Sequence, residues 1–243
     1  MQIAEIFESE KMYKCFMSLK QQDGSFLVTK HGEVDVRCAL NYADCKLGLI
    51  LVYRGIYCLI VTAIMLDILT PELVEGTAEF VASCQTYEGG FSSSSQPYFS
   101  VGTTPSLLSW PRPAMGEAHG GYTFCSLASW VALQPILDYF GTVSGNKPSI
   151  NIQNLVRWLA QMQGNEIEIG GFKGRTNKLV DGCYSWWCGG SFSLLEALGV
   201  HANAGLTNDY HKDSIPTALD ISDDLWDDMD GTIQVVSWLK HKY

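Results

Sequence analysis

Residues 170–190 read GGFKGRTNKLVDGCYSWWCGG, and the rest of the chain takes its meaning from them. Between positions 175 and 187 stand two cations, Arg175 and Lys178, a carboxylate at Asp181, a thiol at Cys183 and three aromatics, Tyr184, Trp186 and Trp187. A core segment has no use for that mixture. Arg175 and Lys178, three residues apart, can face one anion, the arginine as a planar fork and the lysine as a point charge, a pairing suited to phosphate or diphosphate. Asp181 and Cys183 flank Gly182 and can offer an oxygen and a thiolate sulfur to one zinc ion. The same pair also reads as a helix N-cap followed by a buried thiol. Residues 184–187 supply apolar wall beside both charged sites, so the suggested chemistry is an apolar diphosphate meeting a metal-bound nucleophile.

The stretch begins with a turn that is met twice before. QMQGNEIEIGGF at 161–172 repeats the punctuation of QQDGSF at 21–26 and CQTYEGGF at 84–91, each following an apolar helix. Helix, helix and glycine-containing turn at recurring intervals is a degenerate internal repeat. It predicts an all-α fold, an α/α barrel (toroid) of helical hairpins, incomplete at this length, whose inner helix ends share one mouth. The barrel is expected over residues 1–200.

Along the chain, residues 1–19 read as the first helix. Residues 47–69 form a nearly apolar run long enough to span a bilayer, but Arg54 within it would cost about 2.5 to 3.5 kcal/mol near the bilayer centre. With Gly55 interrupting it, the run reads as a buried helix rather than an integral membrane segment. Thr70, Pro71 and Glu72 make a helix start with N-cap, first-turn proline and acidic residue, and that helix is expected to run to the turn at 84–90. Four prolines at 97, 105, 111 and 113 predict a long surface loop over 92–115. A glycine-started helix with His119 at its entrance follows to Leu133; Ser149 caps another to about Gln163, and a further one spans 181–198. After residue 198 the pattern dissolves into a divergent acidic tail, 201–243.

The 243 residues are 47% hydrophobic and 17% charged, with net charge −10. That balance argues for a folded globule and opposes nonspecific binding to nucleic acid or anionic membrane. Eight cysteines without CxxC spacing, and a start without a signal-peptide core, read as a reducing, cytoplasmic setting.

Together with GEAHGGYTFC at 116–125 and CQTYEGG at 84–90, the opening stretch resembles the β subunits of the protein farnesyltransferases, in the protein prenyltransferase β-subunit family. Geranylgeranyltransferase β subunits share the plan, but Gly182 after Asp181 and Tyr122 after the glycine pair look more like the farnesyl enzyme. The resemblance implies the same α/α barrel and a heterodimer with an α subunit. It implies transfer of farnesyl from farnesyl diphosphate to the cysteine of C-terminal Cys-a-a-X (CaaX) substrates, with Zn²⁺ as cofactor and Mg²⁺ as a second candidate.

Carried over residue by residue, the resemblance implies that farnesyl diphosphate meets His119, Gly120, Gly121 and Tyr122, then Arg175, Thr176, Asn177 and Lys178, then Tyr184, Ser185, Trp186 and Trp187. Asp181, Cys183 and Tyr184 are the implied catalytic residues, and Asp181 and Cys183 fall on zinc-ligand positions. The family's third zinc ligand is a histidine in a downstream Tyr-His-Thr-Cys segment. Here only Tyr210 and His211 survive of it, leaving His211 as either that ligand or an exposed loop histidine. The family's cavity arginine corresponds to Arg37 or Arg54, because residues 38–54 read as an insertion between HGEVDVR and the helix start at Gly55.

Bland readings stand beside these. His119 alone is compatible with a satisfied core histidine, although Gly120 and Gly121 clear space for a ligand and Tyr122 adds a hydroxyl. Cys125 and Cys188 read as small buried residues, Cys125 lying where the family's cavity wall would be. Asp223, Asp224 and Asp227 spell DDxxD, the terpene-synthase pattern for Mg²⁺ and diphosphate, within six aspartates in eleven residues that read as a solvated face. Two other functions stay open: a non-catalytic relative that keeps the isoprenoid trough, and a terpene cyclase.

Overall fold

The computed structural model describes residues 3–27, 34, 36, 39–40, 53–96, 98–101, 104–107, 112–144, 148–168 and 170–200. The repeated turns become one recurring structure. After α1 (Ile3–Leu19) the chain reverses and bridges Lys20 to Phe26; after α4 (Thr77–Ser83) it bridges Gln85 to Phe91; after α6 (Ile152–Gln161) it bridges Gln163 to Phe172. Each bridge returns a phenylalanine to the core, where all three are buried. Burying one such ring contributes on the order of 1.5 to 3 kcal/mol, which is why the aromatic recurs where the rest of the turn varies.

The turn tips set the spacing of the hairpins. Gly24, at φ +84°, lies against Gly76, so closely that a Cβ would overlap the Gly76 carbonyl, and Thr77 Oγ1 donates to Gly24 O at 2.9 Å. Gly89, at φ +113°, meets Asn154 in the same way at the start of α6. Gln85 clamps that junction, its Nε2 donating to Asn151 O at 2.9 Å and its Oε1 accepting from Asn151 N at 2.7 Å. Each of these two turns is thus seated on the first turn of the following outer helix, α4 or α6. Only a residue without Cβ tolerates both the left-handed φ and the approach.

Inside this outer layer run α2 (Gly55–Met65), α5 (Gly120–Ser144) and α7 (Tyr184–Ala197). Helix α5 packs between α2 and α7 and also against α4. Ile56, Leu59 and Ile60 from α2, Leu127 and Leu133 from α5, Phe80 and Val81 from α4, and Leu155, Trp158 and Leu159 from α6 belong to one apolar cluster.

Several expectations are corrected. Of the apolar run at 47–69, residues 47–52 lie outside the described residues, and the eleven residues of α2 follow. Gly55 opens that helix, and Asp67, in the left-handed region at φ 54°, lies just beyond its end. Among the described residues no helix is long and apolar enough to cross a membrane. Thr70 does cap a helix, its Oγ1 accepting from Leu73 N at 3.2 Å, but α3 (Pro71–Val74) stops where Gly76 turns left-handed under Gly24 and α4 begins afresh. The cap of α6 is Asn151 rather than Ser149, because the Asn151 carboxamide accepts from Asn154 N at 2.9 Å while Gln85 holds its backbone. Helix α5 continues past Leu133 to Ser144 and carries Pro135 within it.

The proline-rich 92–115 segment is not merely a loop. Strands β3 (Ser94–Ser95) and β6 (Ala114–Met115) pair antiparallel, as do β4 (Tyr98–Val101) and β5 (Thr104–Leu107) between them. The short ribbon of β1 (Ala39–Leu40) with β2 (Tyr53–Arg54) brackets the expected insertion. Five cysteines, at 58, 84, 125, 183 and 188, stand outside any disulfide. Cys15 is disulfide-bonded.

Candidate functional site

Helices α2, α5 and α7 bring their N-terminal ends to one cavity of about 240 Å³. Tyr57 and Cys58 line it from α2, His119, Gly121 and Cys125 from α5 and its entrance, and Tyr184 and Trp187 from α7. Each helix start turns the positive end of its dipole toward the mouth, so three such ends favour an anion there, although first amides of α5 and α7 are already paired, Gly120 N with Gly174 O and Cys183 N with Asp181 Oδ1. A larger groove, about 430 Å³, lies between α1 and residues 66–70. It sits beyond the C-terminal end of α2 and mixes Glu10 and Asp67 with Lys14, so it lacks that polarity.

The sequence local to the mouth explains its shape. The bridge of Lys173 to Val180 projects residues 174–179 as a loop beside the start of α5. Gly120 N donates to Gly174 O at 2.8 Å. A Cβ on Gly174 would overlap the Tyr184 ring, and one on Gly120 would crowd Cys188 Sγ and the same ring. The glycines therefore let the loop, α5 and Tyr184 come together.

At the centre, His119 Nδ1 accepts from Gly121 N at 3.0 Å and His119 Nε2 lies 3.0 Å from Tyr184 Oη. Because Nδ1 accepts, a neutral imidazole carries its proton on Nε2 and donates it to the Tyr184 oxygen, leaving the phenolic hydrogen free to turn toward a ligand. Tyr122 stacks at 4.9 Å from the His119 ring. Burial, ahead of the Cys183 field, pushes the Tyr184 hydroxyl above its ordinary range, with Arg175 opposing. The phenol thus stays a donor at neutral pH.

Arg175 reaches across the entrance and pairs with Glu117 through Nη1 and Oε1. That hydrogen bond, followed by the Glu117 charge, raises the guanidinium pKa further. Lys178 is exposed on the same loop, and its charge helps depress the Glu117 carboxyl. Thr176 and Asn177 are exposed at the loop tip, Asn177 in the left-handed region at φ 62°.

Asp181 and Cys183 stand at the start of α7, both exposed. Asp181 Oδ1 accepts from Cys183 N at 3.0 Å. This backbone bond, then one from the Cys183 side chain, holds the Asp181 carboxyl below its usual range. Desolvation first and the Asp181 carboxylate second push the Cys183 thiol upward. The N-cap residue of α7 is Cys183, without a side-chain cap, so Asp181 acts from two residues before the cap. The donor chemistry, one carboxylate touching one thiol at an exposed edge, suits two positions of a zinc ion. Among the described residues no group of three histidine, cysteine, aspartate or glutamate side chains is placed to hold a metal.

The mouth thus gathers His119, Gly121, Tyr184 and Trp187, with Gly120 buried behind them and Tyr122 against His119. Ser185 and Trp186 point elsewhere: Ser185 is exposed, and Trp186, 66% exposed, packs on Phe124 rather than lining the cavity. The reason is helical, since successive residues of α7 face different sides and Tyr184 and Trp187, three apart, share the inner one. Cys125 lines the cavity wall. Cys188 is a buried thiol pushed up to about 12 by burial, and its Sγ lies 3.4 Å from Lys173 O. Arg37, His211 and the aspartates at 223, 224 and 227 lie outside the described residues.

Residues that the sequence reading passed over are Tyr57 and Cys58, Gly174 and Glu117. Tyr57, its hydroxyl pushed upward chiefly by burial, stands edge-on to Phe124 at 6.0 Å. Its signal was available in GIYC as a helix start; Glu117 had only its place in GEAHGG.

The model of the prenyltransferase alpha-alpha toroid domain matches residues 2–229. A protein farnesyltransferase subunit beta of Pisum sativum is 35% identical over 188 residues, 77% of this chain and 33% of the relative. One from Schizosaccharomyces pombe is 37% identical over 190 residues, 78% of this chain and 37% of the relative. The geranylgeranyl transferase type-1 subunit beta of Arabidopsis thaliana is 30% identical over 193 residues, 77% of this chain and 40% of the relative. The chain thus spans about a third of the length of the farnesyltransferase relatives it matches. Among solved structures, Candida albicans protein geranylgeranyltransferase-I complexed with GGPP aligns with a TM-score of 0.47 and 20% identity, over 92% of this chain and 58% of that one.

Proposed function

Because the chain belongs to the prenyltransferase α/α-toroid family, we propose that it acts as a β-type chain of a protein farnesyltransferase, with an α subunit as partner and a cytoplasmic location. In this reading it carries farnesyl from farnesyl diphosphate to the cysteine of a C-terminal CaaX substrate. The observation that carries the reading is the convergence of three helix N-termini, the His119–Tyr184 pair and Arg175 on one cavity beside the Asp181–Cys183 pair.

The diphosphate sits at the positive mouth and the isoprenoid runs along Trp187, Tyr57 and the wall of α5. Attack by the substrate sulfur on carbon 1 forms the S–C bond as the C–O bond breaks, and both electrons of that bond leave with diphosphate. Arg175, Lys178 and the Tyr184 hydroxyl meet the negative charge that accumulates on the leaving oxygens, the kind of term that usually dominates such steps. His119 works through Tyr184 by holding its oxygen so that the proton faces the ligand.

Asp181 and Cys183 would hold zinc, and a bound zinc ion supplies the lowering of the substrate thiol pKa that makes a thiolate available near neutral pH. Mg²⁺, if used, would accompany the diphosphate. The farnesyl preference rests on Gly182 and Tyr122, and a geranylgeranyl substrate is the competing outcome of the assay.

Tyr184→Phe keeps the ring against Gly174 and removes only the donor. Losing one hydrogen bond to a charged group costs about 1.5 to 3 kcal/mol, so kcat/KM for transfer should fall roughly 10- to 150-fold with the melting temperature little changed. An unaltered rate in the complex with an α subunit contradicts the role.

A second reading, a relative impaired in catalysis, is favoured by the donor set, which among the described residues stops at two. A catalytic zinc ordinarily keeps three protein ligands while substrate exchanges, and Asp181 with Cys183 makes two. Co-expressed with an α subunit, the chain is expected to hold zinc weakly and to transfer farnesyl to a CaaX peptide slowly, while farnesyl diphosphate still binds. One tightly held zinc per chain with fast transfer overturns that expectation, and loss of both on His211→Ala then identifies the third ligand.

A further inference from the structure

Glu117 has no part in the proposed transfer step, yet it occupies the cationic entrance. It stands two residues before His119, where the chain enters α5, and its carboxylate takes the Arg175 guanidinium although both side chains are largely open to water, at 59% and 39%. An ion pair so exposed contributes little to folding, so its placement calls for another reason. Arg175 acts on it through the hydrogen bond and its charge, and Lys178 and the His119 ring lie near enough to add to the effect. These hold the Glu117 carboxyl below the usual carboxylate range, chiefly through the Arg175 bond. Near neutral pH it is therefore a full anion lying among the groups that the proposed diphosphate would contact.

We propose that Glu117 is a built-in competitor anion, holding the Arg175 fork in the empty site and giving it up only to a ligand with enough charge and acceptor oxygens to displace it. The inference rests on reading the mouth as a diphosphate site and names what limits its affinity. The Glu117 carboxylate takes Nη1 of the guanidinium, so a ligand that engages the fork along both terminal nitrogens must displace it. A diphosphate engages Lys178 and the Tyr184 hydroxyl as well as the fork, so it gains more than the Glu117 pairing it replaces. A smaller anion such as orthophosphate bears the same cost of displacement and has fewer partners to recover it. Glu117 thus lowers the affinity of every anion that takes the fork by one common factor, and only an anion with further partners at the mouth binds well in spite of it.

The test is calorimetric titration of the chain in complex with an α subunit, using inorganic pyrophosphate and inorganic orthophosphate as probes. Glu117→Gln should bind pyrophosphate roughly two- to fivefold more tightly, the range set by what an exposed ion pair is worth. Orthophosphate should gain by the same factor, so the ratio of the two affinities stays as it was, because the share of chains with the fork released is a property of the chain and not of the ligand. Combining it with Arg175→Ala should erase the gain, because the two residues act through one interaction. Unchanged or weaker pyrophosphate binding by Glu117→Gln, in a chain where Arg175→Ala alone does weaken it, overturns the competitor role and leaves Glu117 as a support that merely extends the arginine. Pyrophosphate binding that is absent, or indifferent to Arg175→Ala, fails the diphosphate reading of the mouth itself, and the competitor role with it. Matched thermal melting of the variants distinguishes either result from misfolding.

Discussion

Arg175→Ala and Lys178→Ala are each expected to weaken binding of a non-hydrolysable farnesyl diphosphate analogue while leaving peptide binding intact. Removing a charge-assisted hydrogen bond from an otherwise unchanged site costs on the order of 1.5 to 3 kcal/mol, or roughly 10- to 150-fold in dissociation constant. Arg175 should fall lower in that range than its geometry suggests, because the free side chain is already satisfied by Glu117 and binding begins by breaking that pair. Lys178 is exposed and screened by solvent, so the effect of its removal should shrink at high salt. The double variant should fall short of the product of the singles, since both cations address one ligand. Unchanged affinity in both single variants would sink the diphosphate assignment. A parallel loss of peptide binding would show instead that the loop at 174–179 had collapsed.

Gly89→Ala is expected to cost the chain much of its stability, on a par with Gly24→Ala and well above alanine at a glycine whose Cβ would meet open space. Gly89 combines φ +113° with a Cβ position that overlaps both the carbonyl carbon and oxygen of Asn154. Neither obstacle is a flexible side chain. Relief requires the turn to lift off α6, which breaks the two Gln85 hydrogen bonds to Asn151 and draws Gly90 away from Trp158. Backbone strain of this kind costs about 1 to 3 kcal/mol, and breaking the clamp adds on the order of 1 kcal/mol per bond. The sum is a sizeable share of a typical domain's margin of about 5 to 15 kcal/mol. Two controls isolate the cause. At Gly170 (φ +62°) a Cβ meets open space, so alanine there suffers only the strain, and Gly182 has neither strain nor obstruction. Urea denaturation should rank the variants Gly182→Ala, Gly170→Ala, Gly89→Ala in order of increasing loss. A Gly89→Ala midpoint equal to that of Gly170→Ala would show that the turn is not seated on α6 as described.

The repeat was legible in one dimension because its punctuation is chemical. A helix end, a glycine and a returning phenylalanine leave the same trace at Phe26, Phe91 and Phe172 wherever they occur. The entrance of α5 was equally plain, since GEAHGGY places a histidine, two missing side chains and a hydroxyl in succession. Helix limits were less so. Thr70 and Pro71 announce a start correctly, but the break at Gly76 depends on Gly24, far away in sequence, pressing against it. Ser149 is as good a cap as Asn151 in isolation, and Gln85 decides between them. In α7 the sequence offers four residues at 184–187 as wall, and helical phase admits only Tyr184 and Trp187.

From its residues alone the chain declared its fold class, its family resemblance, and the side chains proposed here for an anion and a metal, because each follows from local spacing and residue chemistry. Tertiary structure alone decided that Tyr57 and Cys58 join the cavity, that His119 orients Tyr184 through a particular ring nitrogen, and that Arg175 is held by Glu117. Those pairings join residues 58 to 65 positions apart, or bring together the starts of three separate helices. No local pattern encodes them: they exist because the seated turns fix how far each hairpin is rotated from the last, and that rotation turns three helix ends toward one cavity.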